Sequence, residues 1–205
     1  MMASMVLVLL SIPHYTQTPV VAQVDSAPAC AEQLRNGDFE TDTDWTLPVT
    51  AYRATYSTEE VQRNTRSLRA GIVNAAENVF SYSSASQLVV IPTDIQTATL
   101  AFWWYPVSGE GELANATHSA DAATVQAVAH GVAPAAVLAG DRQYVLLMNE
   151  QNTVLDRLLW TRRDARSWQR LTFDLAAYAG QSVRVLFVVY NDGVDGVTAV
   201  FVDNA

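Results

Sequence analysis

Alternation of apolar and polar residues with a period of two dominates most of the sequence, and long runs with the helical period of 3.6 are scarce. Such alternation is typical of half-buried strands, because successive side chains of a strand point to opposite faces. Turn residues, for example Asn191-Asp192-Gly193, separate several of these runs. Many strands at short spacing without intervening helices favour a sandwich. The pattern predicts strands at 50–57, 66–73, 86–92, 97–106, 142–149, 153–160, 168–175, 182–190 and 197–204.

Length and charge limit the domain count and the class of function. The chain has 205 residues, of which 50% are hydrophobic, and this is enough for one ordinary core. The net charge of -9 disfavours nucleic-acid binding, which needs a basic surface. The sequence contains no zinc-protease signature, no nucleophile elbow and no glycine-rich phosphate loop. We therefore expect a single non-enzymatic domain that does not bind nucleic acid.

The N-terminal region is predicted to be a secretory signal peptide. Residues 5–12 are largely apolar but too few to span a bilayer, and small-residue cleavage candidates follow them. The rest of the chain contains no apolar run near 20 residues in length. We expect a signal peptide and short linker at 1–29, a folded domain at 30–205, and a secreted or cell-surface protein without stable membrane insertion. Cys30 is the only cysteine, so an intramolecular disulfide is excluded.

Four short motifs follow one another along residues 30–205. They are Asn36-Gly37-Asp38-Phe39-Glu40 with Trp45 after it, the segment 64–71, the segment 168–181, and Phe201-Val202-Asp203-Asn204. In this order they resemble the galactose-binding-like jelly rolls of bacterial carbohydrate-binding modules. The resemblance implies an all-β protein, an antiparallel two-sheet β-sandwich that binds a polysaccharide or other glycan without catalysis.

The same resemblance implies a structural calcium ion. In that family the ion commonly ties the acid of the opening segment to the acid of the last strand. By position, the resemblance implicates Glu40 and Asp203, with carbonyls near Asn64 to Ser67 as further ligands. Calcium takes six to eight oxygen ligands, and carboxylates and carbonyls supply them. The alternative is that Glu40 is a solvated turn acid and that Asp203 caps a strand end.

Alternation within two strands predicts a binding platform. In the run 98–105, Leu100, Phe102 and Trp104 share the core face, which leaves Trp103 and Tyr105 on the opposite face. In the run 183–190, Val183, Val185, Phe187 and Val189 match a core face, with Arg184 and Tyr190 opposite. If the two strands are neighbours, an aromatic and hydrogen-bonding platform for a sugar is formed by Trp103, Tyr105, Arg184 and Tyr190. The alternative is that this face is covered by an insertion or by another domain.

Residues 107–140 form an Ala-rich insertion between the predicted strands, framed by glycines. A short helix between 120 and 130 fits the Ala/Val spacing, but a flexible loop is favoured because no heavy apolar face is available to dock a helix. His118 and His130 are weak metal-ligand candidates, with Asp121 as their nearby acid.

Two functions from different classes remain open. The first is a secreted, non-catalytic glycan-binding module, and the second is a structural or spacer domain of a larger extracellular protein, appended to a hydrolase or protease. We expect additional domains in the full-length protein in either case. A basic segment with Arg162, Arg163, Arg166 and Arg170 could attract an acidic polysaccharide such as a uronate polymer, although a solvated turn is the favoured interpretation.

Overall fold

The computed structural model of the protein describes residues 30–112, 122–129 and 140–205. The range Glu32–Ala205 belongs to one compact unit. Its described strands form two antiparallel sheets, so the predicted all-β, two-sheet sandwich is confirmed. Among the described helices, none has the length and apolar character needed to cross a membrane. The predicted signal peptide lies outside the described residues, and Cys30 is exposed.

Nine strands and one α-helix lie in the described ranges. They are β1 (Thr55–Ser57), β2 (Ser67–Gly71), β3 (Ser81–Val90), β4 (Thr99–Ser108), α1 (Ala122–Ala129), β5 (Arg142–Met148), β6 (Val154–Thr161), β7 (Gln169–Asp174), β8 (Ser182–Asn191) and β9 (Thr198–Asp203). Single 3-10 turns occur at Ala75–Glu77 and Ala176–Tyr178. A five-stranded sheet has the order β1-β2-β9-β4-β7, and a four-stranded sheet has the order β3-β8-β5-β6.

The largest departure from the predicted strands concerns β3, which begins at Ser81 rather than at 86. It pairs antiparallel with β8 over its whole length, from Ser81 opposite Asn191 to Val90 opposite Ser182. Its first half is rich in serine, and the buried serines on its inner face carry no apolar signal that a period analysis could detect. Pairing with a long apolar partner strand therefore sets this boundary.

The core lies between the two sheets. Phe102 of β4 and Phe187 of β8 meet there edge to face, with ring centroids 4.9 Å apart. Phe39 and Trp45 of the opening segment join them, and the Trp45 ring lies 5.6 Å from that of Phe187. Leu100, Phe102 and Trp104 of β4 all belong to this core, as do Val183, Val185, Phe187 and Val189 of β8, so both predicted core faces are confirmed.

The opening segment owes its shape to Asn36. The Asn36 side-chain amide donates to the carbonyls of Thr41 and Thr43 and accepts from the Thr41 N–H, while the Trp45 indole donates to the Asn36 carbonyl. Gly37 accepts a hydrogen bond from the Ala205 N–H at 2.9 Å, and a Cβ at Gly37 would collide with the Ala205 carbonyl. The segment is thereby fixed beside the end of β9.

Helix α1 lies within the insertion that is predicted to be flexible or partly helical, at the position where the Ala/Val spacing allows a short helix. The Gln126 side chain explains its docking: it donates to the carbonyl of Asn152, in the connection from β5 to β6, and accepts from the N–H of Val154, the first residue of β6. Val125 is buried against the outer face of the four-stranded sheet. The remaining candidates of the insertion, His118, His130 and Asp121, lie outside the described residues.

Candidate functional site

The two acids that the resemblance implicates in calcium binding lie close together. Glu40 follows the opening turn, and Asp203 is the last residue of β9, fully buried. The connection from β1 to β2 lies against both carboxylates. Backbone N–H groups of Gln62 and Arg63 donate to Asp203 Oδ2 at 3.0 Å each. Glu40 Oε1 accepts from the N–H of Thr65 at 3.0 Å and from that of Arg66 at 2.8 Å.

The negative charge of Glu40 acts on the Asp203 carboxylate. Burial raises the pKa of Asp203, the N–H donors oppose this effect, and the negative charge of Glu40 raises the pKa further. Hydrogen bonds from the Thr65 hydroxyl and the Thr65 N–H lower the pKa of Glu40. Asp203 makes no ion pair in the described ranges, and backbone N–H groups already donate to both carboxylates. A cation placed between the two carboxylates would relieve their repulsion and would compete with these donors.

The connection from β1 to β2 does not present the carbonyl ligands that the resemblance implies. The connection presents N–H groups to the carboxylates, and these come from neither Asn64 nor Ser67. Asn64 is exposed with a positive φ of 64°, and the buried Ser67 hydroxyl donates to the Glu60 carbonyl at 2.6 Å. Loop carbonyls would have to turn toward the carboxylates before they could contribute to coordination.

A second acidic group, which the sequence did not indicate, lies where β4, β5 and β8 meet. Carboxylate oxygens of Glu110, Asp141 and Asp192 lie within 4.8 Å of one another, and together they could hold a metal ion. Asp141 is fully buried: it accepts from the Asn191 side-chain amide and from the Asp192 N–H, each at 2.8 Å. Glu110 is paired with Arg162.

The predicted platform of Trp103, Tyr105, Arg184 and Tyr190 is not formed, because its two strands are not neighbours. Strand β4 lies in the five-stranded sheet and β8 in the four-stranded sheet, so the two pairs of residues lie on opposite outer surfaces of the sandwich. Alternation correctly separated inner from outer faces, but it carries no information on which sheet a strand joins.

The outer face of the four-stranded sheet is rich in aromatic residues but covered. Tyr190 and Tyr144 are 0% exposed and Trp160 is 3% exposed, and α1 contributes Val125 to the cluster that they form. The Arg157 guanidinium lies over the Trp160 ring at 5.6 Å. Arg184 is partly exposed near the other end of this face. The Tyr144, Trp160 and Tyr190 rings are consequently closed to a polymeric ligand in this conformation, whereas Tyr82 is partly buried and Phe80, which packs on Tyr82 and Tyr190, is 44% exposed.

The outer face of the five-stranded sheet carries three partly exposed aromatic residues, Trp103, Tyr105 and Trp168. Tyr105 and Trp168 pack together with a centroid distance of 5.4 Å, and burial together with Glu60 raises the pKa of the Tyr105 hydroxyl. Trp103 differs from both. In the described part of the chain, its indole contacts no other aromatic ring, no arginine guanidinium lies over it, and it belongs to no hydrophobic cluster.

A surface depression at the β1 edge is less suitable for sugar stacking. Its volume is about 550 Å³, and Asp42, Arg53, Tyr56 and Arg66 contribute to its lining. The Arg66 guanidinium lies 4.9 Å from the centroid of the Tyr56 ring and is itself paired with Asp42 at 2.7 Å. The ring face that a sugar would need is thus occupied by the protein.

Solved structures provide the comparison with known proteins, since no protein-family model and no curated protein matches the sequence. TmCBM61, solved in complex with β-1,4-galactotriose, matches with a TM-score of 0.51 and 10% identity over 85% of this chain and 96% of that chain. CBM28, a module specific for non-crystalline cellulose, matches with a TM-score of 0.44 and 10% identity over 85% and 93%.

A domain of bacteriophage CBA120 tailspike protein 4, described as enzymatically active, also matches. Its TM-score is 0.48 and its identity 12%, over 83% of this chain, and the match spans 21% of the tailspike domain. At such identities the likenesses concern the fold. The two antiparallel sheets and the match to nearly all of TmCBM61 agree with the resemblance seen in the sequence motifs. The chain has the jelly-roll β-sandwich fold of carbohydrate-binding modules.

Proposed function

We propose that the protein is a secreted, non-catalytic module that binds a polysaccharide on the outer face of its five-stranded sheet. One observation carries this proposal: of the five tryptophans, Trp103 alone lies outside the hydrophobic clusters of the described residues, and it is partly exposed on a sheet face. Trp45 and Trp104 belong to the central core, whereas Trp160 and Trp168 pack in the two outer clusters.

An indole in this position suits a pyranose ring. A sugar ring presents a flat set of C–H groups that can pack on an aromatic face, and its hydroxyls can bond to polar neighbours. Tryptophan contributes a large, rigid contact area, and its N–H serves as a donor. Strand β4 holds Trp103 between two paired strands, β7 and β9, so the backbone is already ordered and binding costs little conformational entropy. Tyr105 and Trp168 extend the same surface.

Replacement of Trp103 by alanine should weaken polysaccharide binding at least tenfold, since tryptophan anchors at binding sites typically contribute about 2 kcal/mol or more. The free energy of unfolding should fall by only about 1 to 2 kcal/mol, because the side chain is partly exposed and belongs to no hydrophobic cluster of the described residues. Affinity electrophoresis of the full chain against a panel of neutral and acidic polysaccharides measures the first quantity, and urea unfolding measures the second.

Trp103→Phe is the matched control, because phenylalanine keeps an aromatic face and should retain part of the retardation. Failure of every polysaccharide to retard the wild-type chain would contradict the proposal and favour the structural or spacer domain. Retardation that survives Trp103→Ala would place the binding site on another surface.

We propose in addition that calcium is the ion held by Glu40 and Asp203. The convergence of the two carboxylates and the burial of Asp203 without an ion pair in the described residues support this assignment. Calcium binds carboxylate oxygens well and tolerates irregular coordination. When bound, the ion would supply positive charge between the opening segment and the end of β9. It would thereby stabilise the fold without taking part in chemistry.

Calcium should raise the stability of the chain by about 1.8 kcal/mol, or roughly 5 °C in melting temperature, for a dissociation constant of about 0.1 mM and about 2 mM free ion. Thermal unfolding with calcium and with a chelator measures this difference. Asp203→Asn should abolish it, and Asp141→Asn should preserve it, which separates the two acidic sites. The reverse pattern would assign the ion to the Glu110 group and overturn the proposal.

A further inference from the structure

The residue opposite Trp103 indicates the chemical class of the glycan. In the register of β4 and β7, Trp103 lies directly across from Arg170. We propose, building on the proposed function, that the Trp103 surface binds an acidic polysaccharide, with Trp103 stacking on a uronic acid ring and Arg170 pairing with its carboxylate. This inference names a substrate class for the surface and a specificity-determining role for Arg170.

In the described part of the chain, Arg163 and Arg170 are the members of the basic segment that make no ion pair, and of the two only Arg170 lies opposite Trp103. Arg162 is paired with Glu110, and Arg166 is paired with Asp164 at 2.8 Å. Arg170 is exposed and makes no ion pair among residues 30–112, 122–129 and 140–205. Its guanidinium also does not cover the Trp103 ring, in contrast to the cation–π pair of Arg66 and Tyr56.

The spacing of the two side chains suits one sugar unit. Directly opposed residues of an antiparallel pair have Cβ atoms about 5 Å apart and point to the same face. A uronate carboxylate projects from the edge of its pyranose ring, so a ring on the Trp103 indole can place this group toward Arg170. Guanidinium and carboxylate groups form two parallel N–H···O bonds in a plane. A neutral hexose has a hydroxymethyl group in that position and cannot form this pair.

The acids that neighbour Trp103 and Arg170 in the strand register do not cancel the charge of Arg170, and Glu60 lies beside Tyr105 instead. Asp174 shares the exposed face of β7 but lies four residues along the strand, about 13 Å away, which exceeds the Debye length of about 8 Å at physiological salt. Asp203, the other cross-strand neighbour of Trp103, is buried and accepts three backbone N–H groups, from Gln62, Arg63 and Asn204. The net charge of -9 is therefore no obstacle at this point of the surface.

Affinity electrophoresis of the full chain can test this inference with polygalacturonate and alginate, each compared with its methyl ester. The ester keeps the backbone of the polymer and removes its charge. We expect binding to at least one polyuronate to be roughly fivefold tighter than to its ester, as for an exposed ion pair of good geometry. Arg170→Gln should reduce the binding of the acid to that of the ester and leave ester binding unchanged.

Arg53→Gln is the matched control. Arg53 is exposed, makes no ion pair within the described ranges, and precedes β1 at the opposite edge of the same sheet. The variant loses the same charge and should bind like the wild type. Equal affinity for acid and ester, or equal losses in the two variants, would overturn the uronate inference while the proposed function stands. Retardation by a neutral polysaccharide but by none of these polymers would refute the uronate inference alone, and lack of retardation by the whole panel of neutral and acidic polysaccharides would refute both.

Discussion

Replacing Gln143 with leucine should lower the free energy of unfolding by roughly 3–5 kcal/mol. Gln143 is 0% exposed on the inner face of β5. Its side-chain amide donates to the carbonyls of Val107, Arg163 and Ala199 at 3.1, 3.1 and 2.9 Å, and its oxygen accepts from the Arg163 N–H at 2.9 Å. One side chain thus ties β5 to β4 and β9 of the opposite sheet. Leucine fills a similar volume but removes all four of these hydrogen bonds from a fully buried position.

Gln87→Leu is the matched control for this prediction. Gln87 is also buried on an inner face, in β3, but its amide bonds only to the backbone of Arg35. Because Arg35 is exposed, water can replace those bonds, and we expect a cost of about 1 kcal/mol. Urea unfolding of both variants measures the difference. Similar costs would show that Gln143 contributes no more than an ordinary buried amide.

Alternation in the sequence predicted the faces of strands, because face depends only on local period. The assignment of Phe102 and Phe187 to core faces, and of Trp103 to an outer face, followed directly from it. Sheet membership depends on pairing between distant segments, which alternation does not encode. Alternation therefore predicted correctly that Tyr190 lies on an outer face, but not that its strand belongs to the other sheet. The four predicted platform residues consequently lie on two different surfaces.

The two acidic sites differ in how far the sequence could predict them. The pairing of Glu40 with Asp203 in an ion site rests on family resemblance, since their separation along the chain has no local signal, and the ion stays a proposal. Glu110, Asp141 and Asp192 come from three separate connections, 31 and 51 positions apart, and nothing in the surrounding residues marks any of them. Only the meeting of β4, β5 and β8 at one end of the sandwich brings them together.

Burial of Asp141 should make the stability of the protein depend on pH. Desolvation raises the pKa of Asp141 to about 6 from an ordinary value of 3.8, although hydrogen bonds from Asp192, Asn191 and Thr198 oppose the increase. Between these values the folded protein holds a proton that the unfolded chain has released. The stabilising contribution is therefore complete below about pH 4 and is lost as the pH rises through 6. It amounts to about 2 to 3 kcal/mol between pH 4 and pH 7.

Comparison of the wild type with Asp141→Asn isolates this contribution, because asparagine does not titrate and all other groups are shared. In the presence of a chelator, we expect the free energy of unfolding of the wild type, relative to the variant, to fall by about 2 to 3 kcal/mol from pH 4 to pH 7. A carbon NMR titration of the Asp141 carboxyl should give a midpoint near 6. Parallel stability curves with a titration midpoint near 4 would contradict this prediction. They would show that the Asp141 carboxyl is hydrated in solution or lies beside a bound cation, because either condition favours its ionised form.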